Sequence, residues 1–279
     1  MRLLLGSVIL LLIIQTGIGA SYDTLYIVKG QRTYGSSTMN QLGFSSSSLF
    51  ENAPALIHGQ LGDTLYLSIY NFDSNYHRVQ FSSFTQNTDS IEPGGVFQYT
   101  LPLTGEGIYE FHDDLGDGIS KYMGLYGVLE IGLKHPTFYW QLSETDTNWT
   151  TANWDMNNTY QPQYFSINHR NAPETMTDSI GAVTGSVGDT ILIAIANHGM
   201  MKHAIHFHGY HCTIIFDSKD QGRLGWIKET FPVDIGAQMI LRLIPDQPGD
   251  YPVHDHNLMA VLGAGEYIKG MMTMIKIIE

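Results

Sequence analysis

Cysteine is almost absent from this chain. Cys212 is the only one in 279 residues, so no disulfide can close within the chain, and stability must come from a packed core. Positive charge is scarce too: 14 Lys and Arg stand against 27 Asp and Glu, a formal net charge of −13. A surface of that sign repels phosphate backbones and anionic headgroups, which argues against nucleic acid and acidic membranes as partners. Helical periodicity is missing as well. Short β-branched runs alternate with turn residues throughout, so the chain reads as all-β.

Long apolar runs are missing with one exception. Leu3 to Ile14 is apolar but broken by Gly6 and Ser7, with Arg2 before it and the small residues Gly19 and Ala20 after it. That layout predicts a cleaved signal peptide over residues 1–20, and a run so short and interrupted does not predict a membrane span. The expectation is a secreted protein, extracellular or periplasmic, with no membrane contact after cleavage. Two sequons, at Asn148 and Asn157, matter only in a glycosylating host.

What is present is a repeat. Gly62-Asp-Thr-Leu-Tyr-Leu-Ser-Ile-Tyr-Asn71 matches Gly188-Asp-Thr-Ile-Leu-Ile-Ala-Ile-Ala-Asn197, and the match runs ungapped to His77 and His203. Closing strands follow in both halves, Gly107–Asp114 and Gly249–His256, then a glycine-bounded apolar strand. The halves, 21–133 and 134–279, each have the size of a domain, and two tandem Greek-key β-sandwiches are predicted. Thr137–Trp140 and Tyr164–Ile167 read as opening strands of the second.

Two His-x-His pairs carry the chemistry: His206 with His208, and His254 with His256. Residues i and i+2 of a strand share a face, so each pair aims two imidazoles in one direction. Four converging imidazoles make a site for copper, zinc or iron rather than calcium or magnesium. His203 and Asp255 have the opposite parity. They are expected to meet on the core side as a hydrogen-bonded His–carboxylate pair, and a separation too long for one bridging water would refute this. Cys212 lies outside these motifs and reads as a buried thiol. His77 reads as structural, His211, three residues beyond His208, as a residue that supports the ligands from behind, His198 as a turn residue, and His58, His135 and His169 as surface or packing residues.

These residues resemble the multicopper oxidase family, built from cupredoxin domains. The carriers are His203-x-x-His206-x-His208-Gly209, His254-x-His256, Gly270-Met271-Met272 and Tyr160–Asn168. The two-domain length is similar to the small laccases and copper nitrite reductases. The resemblance implies two cupredoxin-like domains, a mononuclear type 1 copper, and a cluster that reduces dioxygen with eight histidines from two facing domains. In two-domain members that interface typically lies between subunits of a trimer. Here the second domain keeps its four positions. The first keeps only His112, with Gln80, Ser82 and Asp114 at the other three. Asp255 and Asp113 stand where the type 1 cysteine is expected, so neither domain offers that thiolate. The resemblance leaves His206, His208, His254, His256, His112 and Asp114 as candidate metal ligands, with His203 at a type 1-like position and Met271 at the axial one. Copper is implied, and zinc and iron also accept such N/O sets.

Three functions follow as expectations: a copper-dependent oxidoreductase acting on a small substrate or dioxygen without a type 1 relay, a copper-binding or storage module, and a structural secreted protein with a degenerate site. Met271, Met272 and Met274 point to a copper(I) path, although strand alternation puts at least part of that cluster in the core. The loop Asn257–Lys269, with Gly263 and Gly265, is expected to be mobile enough to gate the site.

Overall fold

Strand alternation and small–large pairing explain the architecture. The computed structural model describes residues 19–85, 89–116, 118–149, 159–177 and 181–279. The expected leader up to residue 18 and the Asn157 sequon lie outside them. Residues 20–131 form two four-stranded sheets. One runs in the order Ser37–Ser45, Ala20–Tyr34, Thr64–Asn71, Val96–Pro102; the other runs Ala55–Gly59, Tyr126–Ile131, Gly107–Asp113, Val79–Phe81. Residues 137–278 repeat the plan. Tyr164–Ile167, Thr137–Thr145, Ile191–Asn197 and Gln238–Leu243 make the first sheet, extended by Cys212–Asp217 and Ile227–Lys228. Val183–Ser186, Met272–Ile278, Gly249–Asp255 and His203–Phe207 make the second, extended by Thr230–Val233. The expected opening strands of the second half pair antiparallel with each other.

Each half buries its own core. Ile27, Phe44, Leu67, Phe111 and Leu129 fill the first. Trp140, Ile193, Phe207, Phe231 and Ile275 fill the second, and the Trp140 indole N–H donates to the Gly181 carbonyl at 2.9 Å.

The repeat also explains how the halves meet. In Ile191–Asn197 the large residues Ile191, Ile193 and Ile195 face the core. Leu192, Ala194 and Ala196 alternate with them and face Ile108 and Val128 of the first half. Small side chains let the sheets approach, so every residue of this strand is buried. The matching first-half strand keeps Leu65, Leu67 and Ile69 inside but leaves its other face partly open, with Tyr66 exposed. The matching asparagines act alike. Asn71 Nδ2 donates to the Asn75 carbonyl and Asn197 Nδ2 to the Met201 carbonyl, at 2.7 and 2.8 Å. Each fixes the turn that delivers His77 or His203.

Overpacking the joint should therefore cost stability. Ala194→Leu is expected to lower the unfolding free energy by about 1–3 kcal/mol in urea titration. The equivalent Ser68→Leu, on the uncovered face, should change it by less than about 0.5 kcal/mol.

Candidate metal centre

Register brings the two His-x-His pairs together. His206 lies directly across from His254 in the antiparallel pairing of His203–Phe207 with Gly249–Asp255. The His206 ring sits 4.8 Å from His208, 5.6 Å from His254 and 5.3 Å from His256, centroid to centroid. The strand ends at Phe207, and the bend after it holds Gly209, whose φ of +77° suits glycine and where a Cβ would come within 2.4 Å of Tyr251. The group lies on the outer face of its sheet. His208 and His256 are exposed; His206 and His254 are half-buried.

Hydrogen bonds orient the rings. His254 Nδ1 lies 2.8 Å from the Asp255 carbonyl, which can only accept, so Nδ1 carries a proton. In the neutral ring Nε2 then keeps its lone pair, and His208 Nε2–H donates to it across 3.1 Å. His206 Nδ1 bonds Thr230 Oγ1 at 2.8 Å, which leaves its Nε2 free. Burial, reinforced by the neighbouring imidazoles, holds His206 below the ordinary histidine range despite Glu229 nearby. Nitrogens bound to one ion at about 2.0–2.1 Å sit roughly 3–4 Å apart, so the His208–His254 pair has the spacing of two ligands sharing an ion. Backbone-anchored Nδ1 groups that leave Nε2 outward are the usual support of metal-binding histidines. Among the described residues, no three His, Cys, Asp or Glu side chains close around one point as a preformed site. The donor set therefore fits an open half-site.

The first domain carries the matching positions in a different state. Gln80 pairs with His112 in the register of His206 with His254, and Gln80 is exposed. His112 Nδ1 has no hydrogen-bond partner, and burial pushes this ring below the ordinary range. Ser82 Oγ donates to the Glu110 carbonyl at 3.0 Å. Asp114, a candidate ligand from the sequence, is gripped by Arg78 at 2.7 and 3.2 Å, so its carboxylate serves an ion pair. Among the described residues no ring contact joins His112 to the second-domain group, and four imidazoles rather than six ligands come together in one chain.

Beneath the histidine face lies a buried triad. His203 Nδ1–H donates to Asp255 Oδ2 at 2.5 Å, as parity suggests, and Nε2–H donates to Glu144 Oε1 at 2.6 Å. Both ring nitrogens of His203, the residue expected at a type 1-like position, thus face carboxylate oxygens. Asp255 Oδ1 also accepts the amides of Ala204 and Asn257, at 3.1 and 2.8 Å. The first domain repeats this arrangement. His77 bonds Asp113 at 2.6 Å and Asp73 at 3.0 Å, while Asp113 Oδ1 accepts the amides of Arg78 and Leu115. Met271 is fully buried in the core, and Cys212 is a buried thiol whose ionisation burial pushes up.

Burial opposes charge on these histidines, but the flanking carboxylates outweigh it. His203 is raised to about 9, and His77 is raised as well. For Asp73, burial acts upward but hydrogen bonds from Lys29 and His77 win and hold it at about 2.

Sequence reasoning missed Glu144, Asp73 and His198. Glu144 comes from the opposite sheet. The pairings Ile27 with Asn71 and Leu142 with Asn197 show that its first-domain equivalent, two residues on, is Lys29, which bonds Asp73. The repeat thus reverses charge at that position, and no local motif marks it. His198, read as a turn residue, is buried between the domains, 2.8 Å from Glu110 and 2.9 Å from Gln141. The loop after His256 carries a hairpin, Leu262–Gly263 with Glu266–Tyr267, over buried Ala260 and Val261.

The triads predict a pH dependence of known sign. His203 has a folded value of about 9 against 6.5 for the free side chain, so its contribution is complete below pH 6.5 and disappears as pH rises through 9. Unfolding free energy should fall by roughly 3 kcal/mol across that window, and His203→Gln should remove this part of the slope.

Comparisons with known proteins follow the same lines. The multicopper oxidase family model matches residues 146–273. No match was found among curated proteins. The blue copper oxidase from Nitrosomonas europaea superposes with a TM-score of 0.79 at 21% identity, over 92% of this chain and 86% of that one. The copper nitrite reductase of the same organism gives 0.77 at 18% identity, over 93% and 94%. A laccase from Botrytis aclada gives 0.72 at 15% identity, over 93% of this chain and 53% of the laccase. The chain has an all-β fold of two cupredoxin-like Greek-key sandwiches, and residues 146–273 match the multicopper oxidase family model.

Proposed function

We propose that this is a secreted, copper-binding oxidoreductase that works from an open histidine half-site without a type 1 relay. The observation that carries the reading is the exposed face of His206, His208, His254 and His256 directly above a type 1 position closed by carboxylates. A blue copper site needs a thiolate, and Asp255 cannot supply one. Copper held on this face would supply one-electron chemistry at its surface. The Asp255 carbonyl and Thr230 hydroxyl hold His254 and His206 with Nε2 outward. The buried triad keeps both strands in register, and His208 gives up its shared proton when an ion takes its place. With no buried conduit, a small reductant reaches the face directly, and dioxygen or another small acceptor does the same.

The remaining coordination comes from a second copy. His208 and His256 are open to solvent in one chain, and the first-domain group of His112, Gln80 and Ser82 is partly open as well. A trimer that sets the first-domain group of one subunit against the second-domain histidines of the next would complete the centre. The copper nitrite reductase and laccase likenesses support this reading through the shared fold.

Copper per chain is the deciding quantity. Protein purified with copper present is expected to hold at least one ion per chain, lost in His254→Ala/His256→Ala. Oxygen consumption with a small phenolic donor should fall at least about tenfold in that variant. Stoichiometric copper without turnover would reduce the protein to a binding module, and absence of metal would reduce it to a scaffold.

A further inference from the structure

The histidine face carries a thioether beside its imidazoles. Met272 lies directly across from His254 where Met272–Ile278 pairs with Gly249–Asp255. Opposite residues of an antiparallel pair share a face, with Cβ atoms about 4.5–5.5 Å apart. Met272 therefore flanks His254 on one side as His206 flanks it on the other. Met274, across from Pro252, follows on the same face. Exposure agrees with this parity: Met272 and Met274 are half-buried, while Thr273 and Ile275 are buried. Met271 next door is the core methionine, fully buried. The first domain lacks such a donor. There His112 faces Tyr126, whose hydroxyl is occupied by Ser143 and His169.

A soft thioether next to two imidazoles discriminates between oxidation states, because thioether sulfur selects copper(I) over copper(II) or zinc(II). His208 and His254 already present Nε2 atoms 3.1 Å apart. Copper(I) is content with fewer ligands than copper(II), so two nitrogens and one sulfur suffice without a second subunit. We propose that Met272 joins His208 and His254 in a copper(I) site on the outer face of the second domain. This rests on the metal-binding reading above and adds to it the oxidation state of the ion taken up.

The test is anaerobic titration of the full chain with copper(I) against a chromogenic copper(I) chelator, with zinc(II) titrated in parallel, in wild type and Met272→Leu. Leucine keeps the apolar bulk and removes only the sulfur. Copper(I) affinity is expected to fall about tenfold or more in the variant, with zinc(II) affinity held within about twofold. X-ray absorption of the copper(I)-loaded wild type should show a sulfur neighbour. That spectrum needs no variant and stands even if Met272→Leu folds poorly. Equal copper(I) affinities, or a wild-type spectrum with nitrogen neighbours alone, would overturn the thioether site and leave the histidine centre standing. Failure of wild type to bind either ion would overturn both.

Discussion

The Asp255 carboxylate ties together the turn after the closing strand, the histidine strand and the opposite sheet. Oδ2 accepts from His203, Oδ1 accepts two backbone amides, and the residue's own carbonyl accepts from His254 Nδ1. His203 in turn reaches Glu144 on the other sheet. A buried charge network of this kind contributes little against a well-packed apolar alternative, but removing one member strands the others at a cost of about 3–5 kcal/mol. Its consequence is geometric: the two strands that present the four outer histidines cannot slip relative to each other.

The same solution appears in both domains, built from different residues. Asp113 and His77 match Asp255 and His203 in register and amide bonds. The outer carboxylate does not match: Asp73 comes from a nearby loop, Glu144 from the far sheet. Two routes to a buried imidazolium between carboxylates indicate that the constraint is electrostatic. A doubly hydrogen-bonded ring needs two acceptors, wherever the chain finds them.

Outside the triads the domains diverge. The first domain's equivalent face turns partly toward the second domain, where Glu110 meets His198, and its Asp114 is spent on Arg78. The second domain adds strands at its edges and leaves four imidazoles and two thioethers on an open face. The proposed metal chemistry belongs to that face. The proposed donors are soft or borderline, nitrogen and thioether sulfur, which suits copper in a low oxidation state better than a hard cation.

Short-range pattern by itself determined much of this protein. Period-two alternation and glycine-marked turns make it all-β, the Gly62 and Gly188 segments match each other, and the i, i+2 spacing puts His206 with His208 and His254 with His256 on one face. The opposite parity of His203 and Asp255 made their pairing legible too, because strand geometry alone dictates it. Only the tertiary structure decided which partners lie across a sandwich or between domains. Glu144 reaches His203 from the other sheet, Arg78 captures Asp114, and Glu110 finds His198, each across a long stretch of sequence. Such contacts depend on how sheets stack, and a stack leaves no local period in the chain that forms it.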